Sequence, residues 1–94
     1  MAMQRLDIKS ARYDRLARSV LIDGRAACVI EISHEAMEAL SQSRLKPEEA
    51  VLRAVSEAKF LGILASRLPA DDGRIHITAS LLATDGQFAQ DNGS

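Results

Sequence analysis

With 94 residues, a formal net charge of −1, and 27% charged against 47% hydrophobic side chains, the chain has the make-up of one ordinary globular domain. No apolar run approaches the ~18 residues that mark a membrane span, and the N-terminal segment lacks the apolar centre of a secretory signal, so a cytoplasmic protein without a membrane partner is expected. Three aromatic residues leave little for base stacking, and a single cysteine excludes an internal disulfide, in keeping with a reducing compartment.

Residues 1–10 alternate loosely, with Leu6 and Ile8 between charged neighbours. That is the pattern of a weak, short edge strand, on which Arg5 and Lys9 discourage pairing with other chains. Residues 11–14 read as a connector, with Tyr13 covering one end of the core and its hydroxyl in water.

Arg15 to Ser33 is the organising stretch. Two runs rich in Val, Ile and Leu flank Asp23-Gly24, which predicts a β-hairpin. Side chains alternate faces along a strand, so Cys28, Ile30 and Ile32 share one side and Ala27, Val29, Glu31 and Ser33 the other. On the first strand Leu16, Val20 and Ile22 are apolar together, with Arg18 the exception. Bringing both apolar sets to the core requires a loop of odd length. A three-residue loop, Ile22-Asp23-Gly24, with Gly24 left-handed in a bulge, meets that requirement. A two-residue Asp-Gly turn would instead send Ala17, Ser19 and Leu21 inward.

Ser33 is a good helix cap, and Glu35 falls in the first turn, where negative charge suits the helix dipole. A helix is predicted from His34 to about Gln42, with Ala36, Met37 and Leu40 on its apolar side. Pro47, followed by Glu48 and Glu49, opens a second helix that should run to about Arg67. Val51, Ala54, Val55, Ala58, Leu61, Ala65 and Leu68 form its stripe, which Leu52, Ile63 and Leu64 widen. Gly62 marks a kink or a close crossing.

Pro69 to Gly73 is a turn. Arg74 to Thr78 alternates as a half-buried strand, with Ile75 and Ile77 on one side and His76 on the other. Residues 79–82 form a short turn or helical cap, and residues 84–94, rich in Asp, Gly, Gln, Asn and Ser, read as a disordered tail. The expectation is therefore one α+β domain over residues 1–83. Its small, mainly antiparallel sheet has three to four strands with two helices on one face, in the order β-β-β-α-α-β with the first strand weak. The direction of the last strand is left open.

Taken together, Tyr13-Asp14 with Arg15 and Arg18, the Val20-Leu21-Ile22 strand, Gly24, Cys28-Val29-Ile30-Glu31-Ile32-Ser33, the helix bearing Ala36, Met37 and Leu40, and Ile75-His76-Ile77-Thr78-Ala79-Ser80-Leu81 resemble a family of short bacterial proteins known only as the domain of unknown function number 1488. The likeness covers about residues 6–83. It departs from the family pattern at Ser80-Leu81, where an acidic residue is expected. It implies a compact α+β fold with antiparallel strands and two helices, and it carries no functional residues across.

Chemistry-bearing residues are few. Cys28 lies on an apolar strand face, where cysteine acts as a small hydrophobe. His34 stands at a helix start and His76 on the solvent side of a strand. One cysteine and two histidines without metal-ligand spacing give no metal site, and isolated glycines give no phosphate loop, so no cofactor and no catalytic residue are expected. Charge is unevenly spread, with six basic and three acidic residues in 1–25 against six and ten in 26–94. The leading reading is a non-enzymatic interaction or regulatory module, with a homodimer as one form, motivated by the broad helix stripe. The alternative is nucleic-acid binding through the basic segment, with Arg12, Arg15, Arg18 and Arg25 as the contacts. A small enzyme comes third.

Overall fold

The computed structural model describes residues 5–24 and 27–82, so Arg25 and the predicted tail lie outside the described residues. The fold is α+β. Four strands form one sheet in the order β1-β2-β3-β4, where β1 is Asp7–Asp14, β2 Ser19–Asp23, β3 Val29–Ser33 and β4 Arg74–Ile77. Helices α1 (His34–Ser41), α2 (Pro47–Ser56) and α3 (Ala58–Ser66) lie between β3 and β4. The β1–β2 and β2–β3 pairs are antiparallel and β3–β4 is parallel, which settles the direction of the last strand.

The predicted parity of the hairpin is correct. Val20 pairs with Ile32 and Ile22 with Ile30, and all four are fully buried. In parallel register Ile30 and Ile32 also meet Ile75 and Ile77. Met37, Ala50, Ala54, Leu61 and Ala65 close over this face from the helices. The loop, however, is longer than expected. Asp23 pairs with Val29, the loop spans residues 24–28, and the Gly24 N–H donates to the Cys28 carbonyl at 2.7 Å. The left-handed residue described in it is Ala27, at φ 59°. Lengthening an odd loop by an even number leaves every side chain on its side, so Cys28 still packs half-buried against the core.

β1 corrects two expectations. It is eight residues long rather than weak, and it runs through the segment read as a connector. Its register shifts between Asp7 and Arg12. At this bulge the Ser10 hydroxyl accepts from the Asp23 N–H (2.7 Å) and donates to the Asp7 carbonyl (2.6 Å), so a side chain stands in for the ladder. Leu16 and Arg18 belong to the β1–β2 turn, and Leu16 is 99% exposed rather than part of the core.

Ser33 caps α1 as expected, its hydroxyl accepting from the Ala36 N–H at 3.1 Å. The single long helix is in fact two. Glu57, at φ −103° and ψ 17°, breaks it five positions before Gly62, which is buried inside α3. Asp72 (φ 54°) and Gly73 (φ 77°) form the tight turn into β4, where Asp71 and Arg74 exchange both backbone bonds. Both central residues are left-handed, as a mirror-type turn requires, and glycine adopts that shape without a Cβ penalty.

The register makes a stability prediction. Ile32→Ala should cost about 2–5 kcal/mol in urea unfolding, and Val29→Ala, half-buried on the opposite side, clearly less. Equal costs would place Val29 in the core and invert the hairpin.

Candidate interaction groove

A polar chain links three elements beside the core. The β1 side chain Tyr13 reaches His34 at the start of α1, with its hydroxyl 2.9 Å from Nδ1. The other ring nitrogen, Nε2, lies 3.3 Å from the Glu38 carboxylate one helical turn on. A carboxylate only accepts, so in the neutral ring the proton sits on Nε2 and Nδ1 accepts from the Tyr13 O–H. Glu38 also accepts from the Leu45 N–H at 2.9 Å, in the link between α1 and α2. His34 is only 7% exposed, and both of its nitrogens are satisfied, as a buried imidazole requires. The expectation of a water-facing Tyr13 hydroxyl is thereby overturned. The ring itself stands edge-on to His34, with centroids 5.7 Å apart.

This chain fixes the start of α2 across from β1. Pro47 sits at the first helical position, and the Glu49 carboxylate accepts from the Lys46 N–H at 2.8 Å. Between the two elements runs an open groove made of two adjoining clefts of about 520 and 550 Å³, both lined by Tyr13, Arg15, Pro47 and Glu48. One cleft continues to Arg18, His34 and Leu45. The other continues to Ala11, Arg12, Val51 and Leu52, and Leu52 is 68% exposed.

Three of the four arginines singled out in the sequence thus share one groove. Arg12 pairs with Asp23 at 3.3 Å and Arg18 lies 4.0 Å from Glu35, both on well-exposed side chains. Arg15 has no ion pair among the described residues. The turn that carries Arg15 is set by Asp14, whose carboxylate accepts from the N–H groups of Leu16 (3.0 Å) and Ala17 (3.2 Å). Arg25 lies outside the described residues. The Tyr13–His34 pairing was missed, because nothing local joins residues on different elements. The His34–Glu38 pair was legible from its i,i+4 spacing.

Away from the groove, Glu31 binds Arg74 at 2.6 Å and lies 3.5 Å from His76, on the side of the sheet that the helices leave uncovered. Among the described residues no group of three or more His, Cys, Asp or Glu is placed to hold a metal ion, and no helix is long and apolar enough to cross a membrane. Comparison with protein-family models, with curated proteins and with solved structures gave no match.

The Glu38 carboxyl is held below the usual glutamate value of 4.5, first by the Leu45 N–H, against partial desolvation, with His34 and Arg44 adding to the effect. A carboxyl whose pKa falls on folding contributes stability above its unfolded pKa and loses it as pH drops through the folded one. Glu38→Gln should therefore be destabilising at neutral pH, and the gap from the parent chain should narrow below about pH 4.5. Chemical unfolding at a series of pH values checks this; a gap that widens on acidification would contradict the assignment.

Proposed function

We propose that the chain is a small non-enzymatic interaction or regulatory module that docks a partner protein in the groove between β1 and α2. One observation carries the reading: Leu52 stands exposed beside Val51 and Ala11 at a groove that the Tyr13–His34–Glu38 chain holds open. Exposed apolar surface framed by charged side chains is the usual mark of a docking surface. The hydrogen-bonded histidine supports the non-enzymatic reading, since its two nitrogens serve the fold and no cysteine, serine or threonine lines its cleft among the described residues. Membership of the family 1488, supported by the residues quoted above, and a cytoplasmic location, supported by the lone half-buried Cys28, belong to the same proposal.

The homodimeric form is checked by sedimentation velocity over a micromolar range; one monomeric species throughout removes it. For any association of the chain with a protein, Leu52→Ser should weaken binding by at least about tenfold while stability changes within about 0.5 kcal/mol, as for exposed positions generally. Unchanged association would move the docking surface elsewhere.

Nucleic-acid binding is kept as a second reading because Arg12, Arg15 and Arg18 lie along one groove. Phosphate contacts weaken steeply with salt. Titration with duplex and single-stranded oligonucleotides at low salt tests it, and absence of binding there ends it.

A further inference from the structure

We infer that the occupant of the groove is an acidic, partly apolar polypeptide segment, its carboxylates against Arg15 and Arg18 and an apolar side chain against Val51 and Leu52. The inference rests on the docking reading above and adds the chemistry of the partner.

Charge is the first argument. The chain as a whole is at −1, yet the groove lining holds Arg12, Arg15 and Arg18 against Glu48. Asp23 stands on Arg12 and Glu35 beside Arg18, which leaves Arg15 as the lining arginine without an ion pair among the described residues. Arg15 has no ion pair among the described residues, and the Arg18–Glu35 contact is long and exposed, so both guanidinium groups are available. An incoming carboxylate gains a bidentate partner without breaking a buried bond.

The division of the groove is the second argument. Arg18 lies in one cleft and Ala11, Val51 and Leu52 in the other, while Arg15 lines both, so cationic and apolar groups stand within reach of one short segment. A polypeptide can match both within a few residues. A single-stranded nucleic acid offers phosphate to the arginines but needs ring platforms for its bases, and a duplex offers no aliphatic side chain to Val51 and Leu52. Stacking along a strand uses several rings, and Tyr13 is the one Phe, Tyr or Trp lining the groove.

Self-association through this groove is disfavoured by the same charges. A two-fold axis would bring two copies of the same arginine-rich surface into one interface, where Arg15, without an ion pair among the described residues, gains no new acid beyond the partner's Glu48 unless the two surfaces are offset.

Fluorescence anisotropy with the full chain tests the inference. The probe is a short labelled peptide of glutamates around a pair of leucines. Controls replace its glutamates by lysine or its leucines by serine. The Glu/Leu peptide should bind, and each control should bind at least about tenfold more weakly. Arg15→Glu combined with Arg18→Asn should weaken the peptide at least about tenfold and flatten its salt dependence, asparagine being chosen because Arg18 has φ 51°. Lys59→Glu, an exposed cation on α3, should change little. Arg15→Ala alone keeps the test valid if the double variant fails to fold. Equal binding of the lysine peptide, or indifference to the arginine substitutions, overturns the inference. So does a single-stranded oligonucleotide that competes with the peptide and binds tighter. A concentration-dependent dimer that Leu52→Ser dissolves, without peptide binding, overturns the acidic segment while leaving the docking reading intact. Neither peptide binding nor any Leu52-dependent association would remove both.

Discussion

Everything in this fold hangs on β3 being sealed along both edges. Ile30 and Ile32 are each flanked by a buried partner on antiparallel β2 and by another on parallel β4. Strand side chains have a period of two, so a slip by one residue would exchange the isoleucines for Val29 and Glu31. That exchange would bury a carboxylate which now pairs with Arg74 and His76 on the uncovered side. Burying an unpartnered charge is far more costly than exposing a methyl group, so apolar and polar residues select one register together. With β3 fixed, Ser33 at its end is fixed too, and α1 starts where that cap points.

The start of α1 then determines the groove. His34 follows the cap directly, at the one place where its ring can reach back to Tyr13 on β1 while its second nitrogen meets Glu38 on the next turn. Glu38 in turn holds the Leu45 N–H, which sets where α2 begins. A polar chain at the margin of a core is tolerated because each member is bonded, and it confers a defined geometry that apolar packing alone would leave looser. The spacing of β1 and α2 thus comes from hydrogen bonds of stated length. Leu52 stays exposed because Ala50 and Ala54 turn toward the core and Leu52, two positions from each, falls on the opposite side of α2.

What the sequence revealed and what it hid have separate physical causes. The facing of Val20, Ile22, Ile30 and Ile32 was legible because burial imposes a two-residue period. The loop was not, since turn preferences of Asp23-Gly24 yield to the register that four buried side chains demand. β1 was underestimated because its alternation is broken where Ser10 replaces a ladder bond, and a bulge leaves no compositional trace. The break at Glu57 is hidden for a related reason. The Glu57 N–H still bonds the Arg53 carbonyl, and Leu61 bonds Glu57, so the apolar stripe passes through the kink without losing its spacing. Arg12, Arg15 and Arg18 could be named as a group from charge alone, but their gathering beside Tyr13 and Pro47 required the tertiary fold.

The basic N-terminal quarter becomes one wall of a groove, rather than a uniformly charged face, because of what the acids do. Asp14 is spent on the N–H groups of Leu16 and Ala17, and Asp23 on Arg12. Glu35, Glu48 and Glu49 stand in the first turns of α1 and α2, where the helix dipole favours them whatever lies nearby. Two of these helix-start acids therefore come close to the arginine wall for local reasons, Glu35 beside Arg18 and Glu48 within the groove itself. With Asp23 they equal the three arginines in number, and Arg15 is left without an ion pair among the described residues. On the proposed reading an exposed guanidinium, screened within about 8 Å at physiological salt, orients an approaching carboxylate and then serves as its bidentate partner. On the same reading Leu52 and Val51 add to the affinity as they lose water on contact, each buried methylene contributing about 0.8 kcal/mol. On that reading the arginines favour an acidic segment, and the apolar side chains of α2 lengthen its stay.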